Sequence, residues 1–146
     1  MAGESAEAFE LTILNTVEGL QEASAGAEAW LEQQGCDAEC GMLVSLGIEE
    51  LVTNCIKYGY DDAGQHFIGL RIEIVAGMLT LEIRDDGHAF DPLQVPPPDL
   101  TLSLEERPIG GLGLHLLREM ADAMSYERRN GHNVVTLGKA IAGRTG

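Results

Sequence analysis

The sequence predicts an α+β sandwich in which helices cover one face of a mostly antiparallel sheet. Three observations point to it. Segments with the period-two alternation of half-buried strands stand at both ends and in the middle of the chain. Two long stretches of helical periodicity lie between the first alternating segment and the next pair. The later alternating segments come as pairs joined by tight turns, the mark of hairpins rather than of parallel crossovers.

In order, Phe9, Leu11 and Ile13 alternate with Glu10 and Thr12, which predicts a first strand with one buried face. From Val17 to Gln34 the chain is rich in Ala, Glu and Gln, aligns Leu20, Ala23, Ala27, Trp30 and Leu31 on one side, and meets Gly35, a helix stop. A second helix is predicted from about Glu39 to Tyr58, with Leu43, Gly47, Ile48, Leu51, Val52 and Cys55 inward and Gly59 after it. Ile68, Leu70, Ile72 and Ile74, then Leu79, Leu81 and Ile83, form a hairpin turning at Ala76 and Gly77. Phe90 to Pro108, with Pro92, Pro96, Pro97 and Pro98, has too little periodicity for a regular element, and a loop of that length is usually functional. A third helix from about Leu112 to Met124, with Leu117, Met120, Ala121 and Met124 inward, precedes a closing hairpin around Asn130 and Gly131. Ala142 to Gly146 is expected to fray.

The 146 residues suit one domain, 1–146, with an ordered core from about 9 to 140. A hydrophobic fraction of 45% and a charged fraction of 23% are those of a globular chain, neither membrane-embedded nor disordered. Nine basic against 24 acidic side chains give a formal charge of −15, which repels a phosphate backbone and argues against direct nucleic-acid binding. A phosphate ligand would then need backbone N–H groups, a helix N-terminus and a divalent cation. Three cysteines and an N-terminus without an apolar run predict a reducing, cytoplasmic setting and no membrane partner. Cys36 and Cys40 lack a second ligand pair and read as ordinary thiols; His88 and His115 read as packed or exposed rather than catalytic.

Three constellations carry chemistry. Glu50 and Asn54, four apart, share the polar face of the second helix: the amide oxygen suits a Mg²⁺ that also holds phosphates, and the carboxylate can accept a proton from a hydroxyl or water. Taken alone, the pair reads first as a solvated polar helix face, and it counts only in company. Asp85 is in phase with Leu79, Leu81 and Ile83, so alternation turns its carboxylate toward the helices, where the exocyclic amine of adenine is one donor it can take. Gly87 lets a ligand approach the backbone, although Asp85-Asp86-Gly87 also reads as a turn. Gly110, Gly111 and Gly113 bring N–H-rich backbone to a helix N-terminus, where phosphates bind.

In this order the three become specific. IEELVTNCIKYGY resembles the N box, LEIRDDGHAFDP the G1 box and RPIGGLGLHLLREMAD the G2 box of the superfamily of gyrase, heat-shock chaperone, histidine kinase and mismatch-repair ATPases (GHKL). The match runs from about Phe9 to Ala140, and the short format with EELVTN and GGLGL is closest to the anti-sigma-factor serine kinases. The resemblance implies a Bergerat-type ATP-binding sandwich with a lid at about 90–108. It implies Asn54 as the Mg²⁺ ligand, Glu50 as general base, Asp85 with Gly87 as the adenine site, Gly111 and Gly113 at the phosphates, and Gly110 at the lid hinge. It further implies transfer of the γ-phosphoryl group of ATP to a serine or threonine of a STAS-type anti-anti-sigma protein, sequestration of a sigma factor, and a homodimer.

There are departures. Tyr58 stands before Gly59 where the family commonly has His, and Gly131, His132 and Asn133 replace a late Gly-Thr pair, which leaves Asn133 as a substitute hydrogen-bonding group at the base. Arg107 can reach a terminal phosphate or rest exposed beside Glu105 and Glu106. Other readings stay open: an ATP-binding partner-switching module without transfer, a stand-alone histidine-kinase catalytic domain, or a clamp-type ATP hydrolase.

Overall fold

A computed structural model of the chain describes residues 7–96, 101, 103 and 111–141. Five strands, β1 (Glu7–Leu14), β2 (Phe67–Val75), β3 (Met78–Asp85), β4 (Ala123–Arg129) and β5 (His132–Ala140), form one sheet in the order β1-β2-β3-β5-β4. Every pairing is antiparallel, so the expected "mostly antiparallel" sheet is wholly so. Three helices, α1 (Val17–Gln34), α2 (Ala38–Tyr58) and α3 (Gly111–Met120), make the second layer.

Side-chain alternation decides which face they cover. Ile68, Leu70, Ile72 and Ile74 of β2 and Leu79, Leu81 and Ile83 of β3 are buried, as are Val135 and Leu137 of β5, and the register sets these residues side by side. The opposite face carries Glu10, Arg71, Glu73, Glu82 and Arg84, with Arg71 paired to Glu10 and Glu73. Thr16 caps α1 through a 3.0 Å bond from Gly19 N, and Asp37 caps α2 through a 2.8 Å bond from Cys40 N. Gly35 ends α1 in the left-handed region at φ 68°, which a side chain would strain. Both hairpins turn through two residues of positive φ, Ala76-Gly77 and Asn130-Gly131, whose backbone twist matches the strands they join.

Gly47 governs how closely α2 approaches the sheet. A Cβ there would lie 2.9 Å from Leu81 Cδ2 and 3.0 Å from Leu137 Cδ1, so the missing side chain lets the middle of α2 rest on β3 and β5.

Two elements differ from expectation. The third helix ends at Met120, and Met124 lies in β4. The pattern Leu117, Met120, Met124 fits a helix, but Met124 and Tyr126 also fit a strand, and β5 decides: Asp122 N donates to Gly138 O at 2.8 Å, and Asp122 Oδ2 accepts from Ala140 N at 2.8 Å. Within the segment expected to be irregular, Pro92–Gln94 forms a short 3-10 helix capped by Asp91, whose Oδ1 accepts from Leu93 N at 2.9 Å. Most of the expected lid beyond Pro96, and the tail from Ala142, lie outside the described residues. Among the described residues no helix is long and apolar enough to cross a membrane.

Candidate functional site

The C-terminal half of α2 and the ends of β3 and β5 enclose a cavity of about 130 Å³. Its walls include Leu51, Ile83, Phe90, Pro92 and Val135, and its polar lining includes Asn54, Cys55, Asp85 and Asn133. A cavity of about 150 Å³ accepts a benzene ring, so the size suits one flat ring system. Few polar groups among apolar walls is the usual make-up of a small-molecule site.

Asp85 closes β3 with its carboxylate on the helix side, as alternation predicts, and is only 6% exposed. Burial of an ionised group is tolerable only with donors around it. Oδ1 accepts from Gly87 N at 2.9 Å and from Asn133 Nδ2 at 3.1 Å, and Oδ2 from Cys55 Sγ at 3.2 Å. Burial, reinforced by the Asp85 charge, pushes the Cys55 thiol well up, which keeps it a donor.

Asn54 lines this cavity, while Glu50, one turn earlier on α2, points elsewhere. The Glu50 carboxylate lies against the first turn of α3, so close that a Cβ on Gly113 would overlap it. Burial, aided by Glu49 and opposed by Lys57, holds Glu50 above the usual carboxylate range. One helix thus joins two places: Asn54 at the cavity, and Glu50 about 6 Å along the axis beside Gly113 in the first turn of α3. A helix start presents free N–H groups and a positive dipole end, and a carboxylate positioned there can hold or take a proton.

Gly87 has a physical reason independent of any ligand. A Cβ there would sit 2.6 Å from the Gly59 carbonyl oxygen, and the same oxygen accepts from His88 N at 2.8 Å, so the G1 turn packs directly on the end of α2. Asn133 is 4% exposed and bonded on all sides: Nδ2 donates to Asp85 Oδ1 and to His88 O (2.7 Å), and Oδ1 accepts from Phe90 N (3.2 Å) and Tyr126 Oη (2.6 Å). It borders the cavity, but its hydrogen-bonding positions are already engaged within the protein rather than free for a base.

Tyr58 lines the cavity and is 59% exposed. His88 also lines the cavity, is exposed, and pairs with Asp61 at 3.0 Å; half-exposed His115 lies 3.7 Å from Glu119. Arg107 and Gly110 lie outside the described residues. Sequence reasoning missed Cys55 as a partner of Asp85, having read it as a plain apolar helix position, and missed Tyr126. The signal for Cys55 was its place directly after Asn54 on the turn facing β3; for Tyr126 it was the strand register alone.

Comparison with known proteins places this geometry in a lineage. The model of the histidine kinase-like ATPase domain matches residues 13–139. The serine/threonine-protein kinase BtrW of Bordetella bronchiseptica is 32% identical over 112 residues, covering 74% of this chain and 79% of that protein. An anti-sigma F factor of Clostridium botulinum is 30% identical over 91 residues, covering 58% of this chain and 59% of its own length. The serine-protein kinase RsbW of Bacillus velezensis is 23% identical over 95 residues, covering 62% of this chain and 59% of that protein. In fold, the chain is similar to a solved structure of RsbU and RsbW domains from Mycobacterium tuberculosis, with TM-score 0.66 and 17% identity over 92% of this chain and 32% of that one. The chain belongs to the histidine kinase-like ATPase domain family, in the branch that holds the serine/threonine-protein kinases and anti-sigma factors.

Proposed function

We propose that the protein is an ATP-dependent serine/threonine kinase and anti-sigma regulatory factor. In this reading it phosphorylates a STAS-type anti-anti-sigma antagonist and sequesters a sigma factor. The observation that carries it is the double placement by α2: Asn54 at a ring-sized cavity beside Asp85, and Glu50 against the glycine-rich start of α3.

Asp85 Oδ2, engaged only by the Cys55 thiol among the described residues, keeps acceptor capacity for the amine of adenine. The N–H groups of Gly111 and Gly113 meet the phosphates, supplying the positive end that a chain of charge −15 otherwise lacks. The donor set fits Mg²⁺: Asn54 offers one neutral oxygen, and among the described residues no group of three His, Cys, Asp or Glu gathers to cage a metal, so phosphate oxygens would complete the shell. Bound there, Mg²⁺ would neutralise charge on the phosphates. Glu50, raised by burial, accepts the proton of the acceptor hydroxyl. Arg107 and Gly110 belong to this reading as phosphate contact and lid hinge. So do a homodimer, a cytoplasmic setting, a single domain over 1–146 and the absence of nucleic-acid and membrane partners.

The test pairs a titration with MgATP with transfer of labelled phosphate to STAS-domain proteins of the same genome. Glu50→Ala is expected to bind ATP nearly as the parent does and to lose transfer by at least about a hundredfold. Asp85→Asn is expected to weaken binding by about ten- to a hundredfold. Tight binding without transfer in the parent protein would favour a partner-switching module; no binding would sink both readings.

A further inference from the structure

We propose that Asn133 is a positioning residue for base recognition: with Tyr126 it locks the Asp85 carboxylate and the backbone at His88 and Phe90 into the cavity wall, and thereby sets the preference for adenine over guanine nucleotides. This rests on reading the cavity as the base site.

The four bonds of the Asn133 amide join three separate pieces of chain. Asp85 Oδ1 belongs to β3, the His88 carbonyl and Phe90 N–H to the turn after it, and the Tyr126 hydroxyl to β4. Two acceptors stand on one side and two donors on the other, so a single orientation of the amide satisfies all of them. Asn133 is directly opposite Asp85 in the β3–β5 register, which leaves the amide no slack along the strand. Both of its N–H groups are committed, so it cannot turn a donor toward a ligand, and it acts on Asp85 instead of on the base.

That fixes what the cavity shows to a ring. Oδ1 of Asp85 is filled by Gly87 N and Asn133, and Oδ2 receives one bond from Cys55. A carboxylate held this way cannot rotate away, and it presents spare acceptor capacity only. An amine at that edge donates to it, whereas a carbonyl in the same place, as guanine would bring, meets oxygen against oxygen. Discrimination therefore depends on the carboxylate being unable to move, and Asn133 supplies that constraint from one side while Tyr126 holds Asn133 itself in place.

Isothermal titration calorimetry of the full chain with MgATP and with MgGTP tests this on the parent protein, Asn133→Ala and Tyr126→Phe. The parent is expected to prefer ATP. In Asn133→Ala the ATP-to-GTP affinity ratio falls about tenfold or more, because ATP binding weakens and GTP binding does not; Tyr126→Phe moves the ratio the same way by less. A merely structural role would lower the melting temperature and leave the ratio untouched. If both variants fold and keep the parental ratio, the proposal is overturned, and if Asn133→Ala does not fold, Tyr126→Phe decides alone. A parent that binds ATP without preference overturns this inference and spares the functional reading; a parent that binds neither nucleotide overturns both.

Discussion

Glu50 is held partly out of water between α2 and the first turn of α3, with Glu49 as its neighbour. Its pKa in the fold is raised above that of the unfolded chain, so the fold disfavours its charge. The stability tied to Glu50 is complete in acid, below the ordinary carboxylate range, and is lost as pH rises through the raised value. Glu50→Gln removes a charge the fold holds at a cost, so its melting temperature is expected to exceed the parent's by a few degrees at about pH 7.5, with the gain gone near pH 4. Calorimetry across that range checks the sign. The same shift brings a proton acceptor nearer to working pH, so transfer should increase with pH through that value. The directions of Asn54 and Asp85 could be read from the chain alone because helical and strand periods fix which way each one points, whereas the shared polar face of Glu50 and Asn54 divides in the fold, Asn54 to the cavity and Glu50 to the first turn of α3. The hydrogen-bonding role of Asn133 could not be read so, because it is set by its pairing with Asp85 across β3 and β5, a relation no local pattern contains.

Gly47 and Gly113 show how α2 depends on what its neighbours lack. Gly47→Val would push against Leu81 and Leu137, and a loss of about 1–3 kcal/mol is expected in urea unfolding. Gly113→Ala should behave differently. Alanine improves helix propensity by about 1 kcal/mol, yet its methyl group would occupy the place of the Glu50 carboxylate. The expected outcome is a melting temperature equal to or above the parent's with phosphate transfer reduced about tenfold or more, measured on the same preparation. An equal drop in both would mean that Gly113 serves packing only. Strands and the first two helices were readable because caps and glycines mark their ends. The limit of α3 was not: Met124 satisfies both periods, and only the bonds from Asp122 to β5 choose between them.

A formal charge of −15 surrounds the proposed nucleotide site. Raising the salt concentration from about 20 to about 200 mM shortens the reach of that field, so MgATP affinity is expected to improve modestly over this range; a steep loss instead would show that attraction by cations such as Arg107 dominates. The sandwich itself was legible, since alternating strands, helical stripes and two-residue turns all agree on one layering. Its antiparallel order carries a consequence for how the molecule comes into being. Asp85 belongs to the third strand made and Asn133 to the last, and β4 reaches β3 only through β5. A growing chain on the ribosome can complete both long helices and the first hairpin with Asp85 still lacking its amide partner, and the recognition wall closes only when the final strand slots between two others. On the proposed reading of the cavity as the base site, competence for nucleotide would come late in folding, and added nucleotide should protect the amides of β5 from hydrogen exchange more than those of β1.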